Sequence, residues 1–166
     1  MKNILLLILV AIGAWWYFIG GRTISEENVR AFYQQQTHAM LSRDPELLCA
    51  LLDDDFTTTG TIAAAGNIGQ DSADKPETCE AYRNMYQNFA DLGEKMGGML
   101  QLGYFYDIHA IDISDDKKTA TVEVSYRLDV GGSLMNIRSN ATEVLIRKNG
   151  KMLMLSSEGD AEVGNQ

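Results

Sequence analysis

Asp107 and His109 stand two residues apart in a stretch that reads as a strand. That spacing puts both side chains on one face, where a carboxylate can orient and charge an imidazole. Further on, Ser139, Glu143, Ser156 and Glu158 fall on two strand-like runs, and Gln36 is the polar exception on the apolar stripe of an upstream helix. A carboxyl drawn into an apolar interior has a raised pKa and can serve as a general base; left at an open rim it is merely solvated. Both outcomes stay open for Glu143 and Glu158. Tyr33, Tyr82 and Tyr86 add phenols whose polar tips could line the same interior. His38, the other histidine, falls off the main apolar face of its helix and reads as solvated. Cys49 and Cys79 have no local His or Asp context that would make either a nucleophile or a metal ligand. No metal and no cofactor is therefore expected.

The elements that must position these groups follow from spacing and punctuation. A first helix begins at Thr23 to Ser25, with Ser25 able to cap it and Thr23/Glu26 at capping-box spacing. Val29, Phe32, Tyr33, Gln36 and Met40 form one face of it. Asp44 before Pro45 opens a second, short helix carrying Leu47, Leu48, Leu51 and Leu52, and Asp53 to Asp55 oppose its negative end. A Thr-rich strand follows. Thr61 to Lys75, rich in small and polar residues, reads as a loop or lid. Pro76 or Glu77 starts a middle helix running to about Met96, with Cys79, Tyr82, Tyr86 and Phe89 in one stripe, and Gly97-Gly98 stops it.

From Met99 onward the period is two. Ala120, Val122, Val124, Tyr126, Leu128 and Val130 share one face. A two-residue turn at Gly131-Gly132 would set Leu128 opposite Met135 and Tyr126 opposite Ile137. Asn149-Gly150 is the strongest hairpin signal; it pairs Leu145 with Met154, Glu143 with Ser156 and Ala141 with Glu158, all facing inward. The strand at Gln101 to Ser114 has two solutions. A two-residue turn at Asp116-Lys117 turns Asp107 and His109 inward with Phe105, Ile111 and Ile113. A three-residue turn buries Tyr104, Tyr106, Ile108 and Ala110 instead and exposes the pair; that face is the more apolar.

Composition narrows the function classes. A net charge of -9 and a pI near 4.6 argue against nucleic acid and against anionic lipid surfaces as partners. Ile4 to Gly20 contains no charge and follows Lys2, and its far end carries Trp15, Trp16, Tyr17 and Phe18. As a helix it would be about 26 Å long, at the short end for spanning a bilayer. The positive-inside rule then sends everything after Gly21 across the membrane. Cleavage at Ile19-Gly20-Gly21 is the competing reading. An exported domain makes a Cys49–Cys79 disulfide the expectation, with two buried thiols as the alternative.

The run SRDPELLCALLDDDF within the order helix, short helix, strand, middle helix and four-strand meander resembles the cone-shaped fold of the nuclear transport factor 2 and polyketide-cyclase (SnoaL-like) superfamily. The resemblance covers roughly residues 25 to 163. It implies an α+β cone in which a curved antiparallel sheet packs on three helices, preceded here by one N-terminal transmembrane helix. The organisation expected is an anchor at 1–21, the cone domain at 22–163 and a tail at 164–166. The resemblance also implies that the second and middle helices are neighbours, as a disulfide between them requires. In the ketosteroid-isomerase branch a first-helix tyrosine and a following aspartate do the chemistry; those positions fall here on Gln36 and on Thr59 or Gly60. Single-pass periplasmic members of this fold also occur as core components of type IV secretion systems, usually with a longer cytoplasmic tail than Met1 to Asn3.

The resulting expectation is a single-pass bacterial inner-membrane protein whose periplasmic domain is a binding or assembly module without a recognisable catalytic set. It could dimerise through the sheet face bearing Asn136, Arg138, Asn140, Thr142, Val144 and Ile146, and could meet a small apolar ligand or an envelope protein. The alternative is an isomerase- or cyclase-type enzyme working in a polar-ended cone.

Overall fold

A computed structural model describes residues 23–64, 67–98, 100–132 and 135–164. The segment expected as an anchor, 1–21, lies outside the described residues. Helix α1 (Glu26–Ser42) starts where the Ser25 hydroxyl accepts from the Asn28 backbone N–H, while the Asn28 side chain accepts from the Ser25 N–H. The capping box is thus Ser25/Asn28, not Thr23/Glu26. Arg43 closes the helix at φ 57°. Asp44 then caps α2 (Pro45–Ala50) by accepting from the Leu47 N–H. Asp74 caps α3 (Lys75–Lys95) in a second capping box with Glu77. A Cys49–Cys79 disulfide with a Cα–Cα distance of 5.4 Å ties α2 to α3. The guanidinium of Arg83 donates to both oxygens of Glu46 across the same seam, at 2.7 and 3.2 Å.

Six strands follow the order β2-β1-β6-β5-β4-β3. They are β1 (Leu52–Ala64), β2 (Asn67–Asp74), β3 (Leu102–Ile113), β4 (Thr119–Val130), β5 (Met135–Lys148) and β6 (Lys151–Gly164). The sheet is mixed, not antiparallel throughout: β1 runs parallel to β6. Three consecutive hairpin reversals carry the chain back from β3 to β6, and β6 docks beside β1 pointing the same way. Thr61 to Lys75 is not a loop or lid. Residues 61–64 end β1, Asn67–Asp74 is β2 paired antiparallel to it, and Lys75 opens α3. β2 is an edge strand exposed along almost its whole length, so it has no buried face to leave an alternation in its residue types.

The helices cover one face of the sheet. Val29, Phe32 and Tyr33 of α1 pack on Val122, Val124, Leu145 and Met154. A second cluster joins Leu48, Tyr86, Phe89, Leu100 and Val130 under α3. Near the middle of the sheet, Gly60 pairs with Gly159 and Gly159 with Ala141. A Cβ on Gly159 would lie 2.2 Å from the Asn140 carbonyl oxygen, so this approach needs glycine.

Register departs from the sequence-based expectation at three places. Val130 pairs with Met135, so Leu128 sits opposite Ile137 and Tyr126 opposite Ser139. The shift from the two-residue-turn register is two residues, which keeps every side chain on its face but slides the strands by one step. In β6 the Asn149-Gly150 turn (φ 52° and 80°) pairs Leu145 with Met154, but Val144 then pairs with Ser156. Leu155 is the extra residue of a bulge. In β3, Ile108 pairs with Val124 and Ala110 with Glu123, leaving His109 as the extra residue. Each bulge inverts the facing of everything beyond it.

The disulfide closes a loop with a sequence separation of 30. Reduction, or a C49A/C79A double variant, is expected to lower the unfolding free energy by about 3–4 kcal/mol, measured by urea titration with and without reductant.

Candidate functional site

The His109 and Leu155 bulges decide which polar groups look inward. On β3, Tyr104 and Tyr106 face the helices before the bulge, and Ile111 and Ile113 do so after it. Both turn-based solutions are therefore half realised on the one strand. Asp107 and His109 point to the opposite, outer face and are exposed. His109 Nδ1 lies 3.9 Å from Asp107 Oδ2, and its Nε2 shares a 3.0 Å hydrogen bond with Ser125. Glu158 is a correction as well: the Leu155 bulge puts it beside Thr142 on the outer face, and Ser157, not Ser156, stands inward opposite Glu143.

Glu143 is inside, at 3 % exposure. Its Oε2 accepts from the Tyr33 hydroxyl at 2.7 Å and its Oε1 from the Tyr126 hydroxyl at 2.8 Å. One phenol comes from α1 and the other from β4. Tyr126 sits four residues along the strand from Val122, the partner of Glu143, about 13 Å at the backbone. The two side chains reach toward each other along the sheet to meet. Ring stacking fixes the phenols: Tyr33 on Tyr106 with centroids 5.5 Å apart, and Tyr126 on Tyr104 at 5.7 Å. Burial pushes Glu143 up to about 7, against the lowering effect of the two hydroxyl donors. Burial likewise raises Tyr33 and Tyr126, with the nearby carboxylate adding to it. Both phenols therefore stay protonated and act as donors.

In front of this carboxyl is a cavity of about 240 Å³. Its apolar wall comes from Met40, Phe56, Tyr104, Leu128, Ile137 and Met154; Gln36, Thr58, Thr78, Ser139 and Ser157 give it a polar end. Tyr82 lines it too, with its phenol pushed up to about 12 by burial. A second hollow of about 200 Å³ continues along the sheet and shares Thr58, Tyr126, Ser139, Glu143 and Ser157. Tyr33 does not line the cavity; it holds Glu143 from behind. Tyr86, one turn beyond Tyr82, is outside as well, because its hydroxyl is engaged with the Met40 carbonyl at 3.0 Å in the second core cluster.

Of the expected pocket residues, then, Gln36, Tyr82 and Glu143 line one cavity and Tyr33 supports it. Tyr86, Asp107, His109 and Glu158 lie elsewhere. Tyr126 and Tyr104 are members that sequence reasoning did not single out as pocket residues. The inward facing of Tyr126 was readable, but the register of a two-residue turn at Gly131-Gly132 puts it six residues from the position opposite Glu143, and the observed slide brings it to four. Among the described residues no cluster of three or more His, Cys, Asp or Glu could hold a metal ion.

A separate structural contact sits at the other end. Asp53 is buried, which alone would raise its carboxyl, but the Lys148 ammonium at 2.7 Å and the Asp55 N–H hold it below its ordinary range. This ion pair fastens β1 to β5 and does not reach the cavity.

No protein-family model matches the chain, and no curated protein matches it. Solved structures do. A conserved protein of Planctomyces limnophilus superposes with a TM-score of 0.58 at 14% identity, over 84% of this chain and 97% of the other. A putative scytalone dehydratase of Novosphingobium aromaticivorans gives 0.57 at 12%, over 85% and 87%. An NTF-2-like protein of unknown function from Silicibacter pomeroyi gives 0.52 at 15%, over 83% and 94%. At these identities the likeness establishes the fold, which is nuclear transport factor 2-like, and nothing about activity.

Glu143 makes stability pH-dependent in a particular direction. Its folded pKa lies above its ordinary value of 4.5, so its contribution is full below about pH 4.5 and is lost as pH rises through 7, roughly 3 kcal/mol in all. Glu143→Gln keeps the shape without the ionisation. The wild-type unfolding free energy, measured relative to that of E143Q, is expected to fall by that amount between pH 4.5 and 8 in parallel denaturant titrations.

Proposed function

Starting from that fold, we propose that the chain is an exported, membrane-anchored binding module whose cone domain holds a small molecule in the cavity before Glu143. The observation that carries this reading is the carboxyl itself. It is held by two fixed phenols at the wall of an unfilled, polar-ended space, where an assembly domain would need only packed side chains. The cavity is small beside typical ligand sites of about 300–1,000 Å³, so the ligand is small. Self-association through the outer sheet face accompanies this reading: Arg138, Asn140 and Thr142 are exposed there, Phe105 is 53% and Ile68 79% exposed, and only Ile146 is too buried to take part.

Export is supported by the uncharged run Ile4 to Gly20 and by the disulfide, which belongs in an oxidising compartment. The placement we propose is the bacterial inner membrane, with the domain in the periplasm. Among the described residues no helix is long and apolar enough to cross a membrane, so the anchor would be the N-terminal run.

A second reading, a proton-transfer enzyme, is favoured by one feature: a general base works best with a pKa near the working pH, and Glu143 is pushed up to about 7. In that case Glu143 would take the proton and Tyr33 and Tyr126 would hold its orientation. The ketosteroid-isomerase arrangement is not repeated, since Gln36 stands at its tyrosine position and neither Thr59 nor Gly60 supplies the carboxylate.

Two measurements test the proposal. Met40 and Met154 line the cavity, so their 13C-labelled methyl signals are expected to move when a set of small aromatic fragments is added, and Ile137→Trp is expected to abolish the shifts by filling the space. Methyl signals that stay put for every fragment would sink the binding reading. For the export reading, protease added to intact spheroplasts is expected to digest the domain; protection until lysis would place it in the cytoplasm.

A further inference from the structure

The charged inventory of the cavity is one-sided, with a carboxyl and no cation among the described lining residues. Gln36 presents a buried Oε1 that has no donor among the described residues, and Thr78 Oγ1 is likewise unpartnered; both line the cavity. Buried acceptors without partners are rare in folded proteins and call for one. Gln36 lies three residues from Tyr33 on α1, on the same helix face. Gln36 and the carboxyl that Tyr33 holds line the same cavity. Glu143 accepts only from neutral phenols, so nothing in the wall balances its charge. No Lys, Arg or His stands among the described lining residues.

The remaining surface suits a positive charge. Phe56, Tyr82, Tyr104 and Tyr126 are among the lining residues, and aromatic rings attract cations. The net charge of -9 raises the local concentration of cations around the whole molecule. A carboxylate or phosphate ligand could accept from the Thr78, Ser139 or Ser157 hydroxyls, but it would meet the Glu143 carboxyl with no cation in the described lining to offset it. A neutral ligand could serve Gln36 but would leave the carboxylate unbalanced.

Resting on the small-molecule reading above, we propose that the ligand is a small organic cation, a protonated amine on a flat apolar body. Its ammonium donates to Gln36 Oε1 and Glu143, and its body lies against Met40, Leu128, Ile137 and Met154. The volume of about 240 Å³ equals that of about eight waters, which suits a single ring with a short aminoalkyl arm.

Three phenols with one ring and different charge make the test: tyramine, 4-ethylphenol and 4-hydroxyphenylacetate. Each is titrated at pH 8 into the full-length protein in detergent micelles, with the Met methyl signals and calorimetry as readouts. Tyramine is expected to bind about tenfold more tightly than 4-ethylphenol, and the acid not at all. Glu143→Gln is expected to erase the advantage of the cation. Gln36→Leu, at a half-buried position that does not threaten folding, is expected to reduce it several-fold. Equal or tighter binding of 4-ethylphenol or of the acid would overturn the cation assignment while leaving a small-molecule pocket intact. An advantage for tyramine that survives both substitutions would overturn it too. Failure of all three probes to bind or to move the methyl signals would remove the pocket reading along with it.

Discussion

A carboxyl group shut away from water has to be satisfied from within, and Glu143 meets that demand with donors from two separate elements. Tyr33 reaches it from α1 and Tyr126 from β4, so helix, central strand and neighbouring strand are joined at one point. The hydrogen bonds lower the cost of ionising the group, burial raises it, and burial wins. The phenols are immobilised in turn by stacking on Tyr106 and Tyr104. The result is an acid with a fixed orientation facing open space, in a core that otherwise packs Val, Leu, Phe and Met.

Three local features of the sheet decide which groups face that space. The Gly60–Gly159 pair allows backbones to approach where a side chain would collide. The Leu155 bulge brings Ser157 inward opposite Glu143 and sends Glu158 out, leaving one carboxyl in the cavity instead of two. The His109 bulge lets β3 bury tyrosines at one end and isoleucines at the other, while Asp107 and His109 stay in solvent. Had either bulge been absent, the interior would have held several ionisable groups with too few partners, which is costly in a low-dielectric setting.

The helical layer is held by means that do not touch the cavity. The disulfide and the Arg83–Glu46 pair join α2 to α3, and Arg43 reaches the Leu100 carbonyl. The Asp53–Lys148 pair fastens the start of β1 to β5. Placing these clamps at the periphery leaves the described lining of the cavity without a cation, so Glu143 has no charged partner there.

The linear sequence by itself determined the helices and the central strands. Ser25, Asp44-Pro45 and Gly97-Gly98 are local stop and start signals, and the alternation from Ala120 to Val130 needs a buried face to exist at all. It also determined that Asn149-Gly150 turns back on itself, because few other residue pairs adopt two positive φ angles in succession. What it could not determine was facing beyond a bulge. An inserted residue such as His109 or Leu155 carries no marker in its type, since any side chain fits a bulge, yet each one inverts every residue after it. Edge strand β2 was illegible for the complementary reason, having no buried face to pattern its residues. Which carboxylate became the interior one, and which phenols reached it, was therefore decided only when the tertiary structure set the strand register.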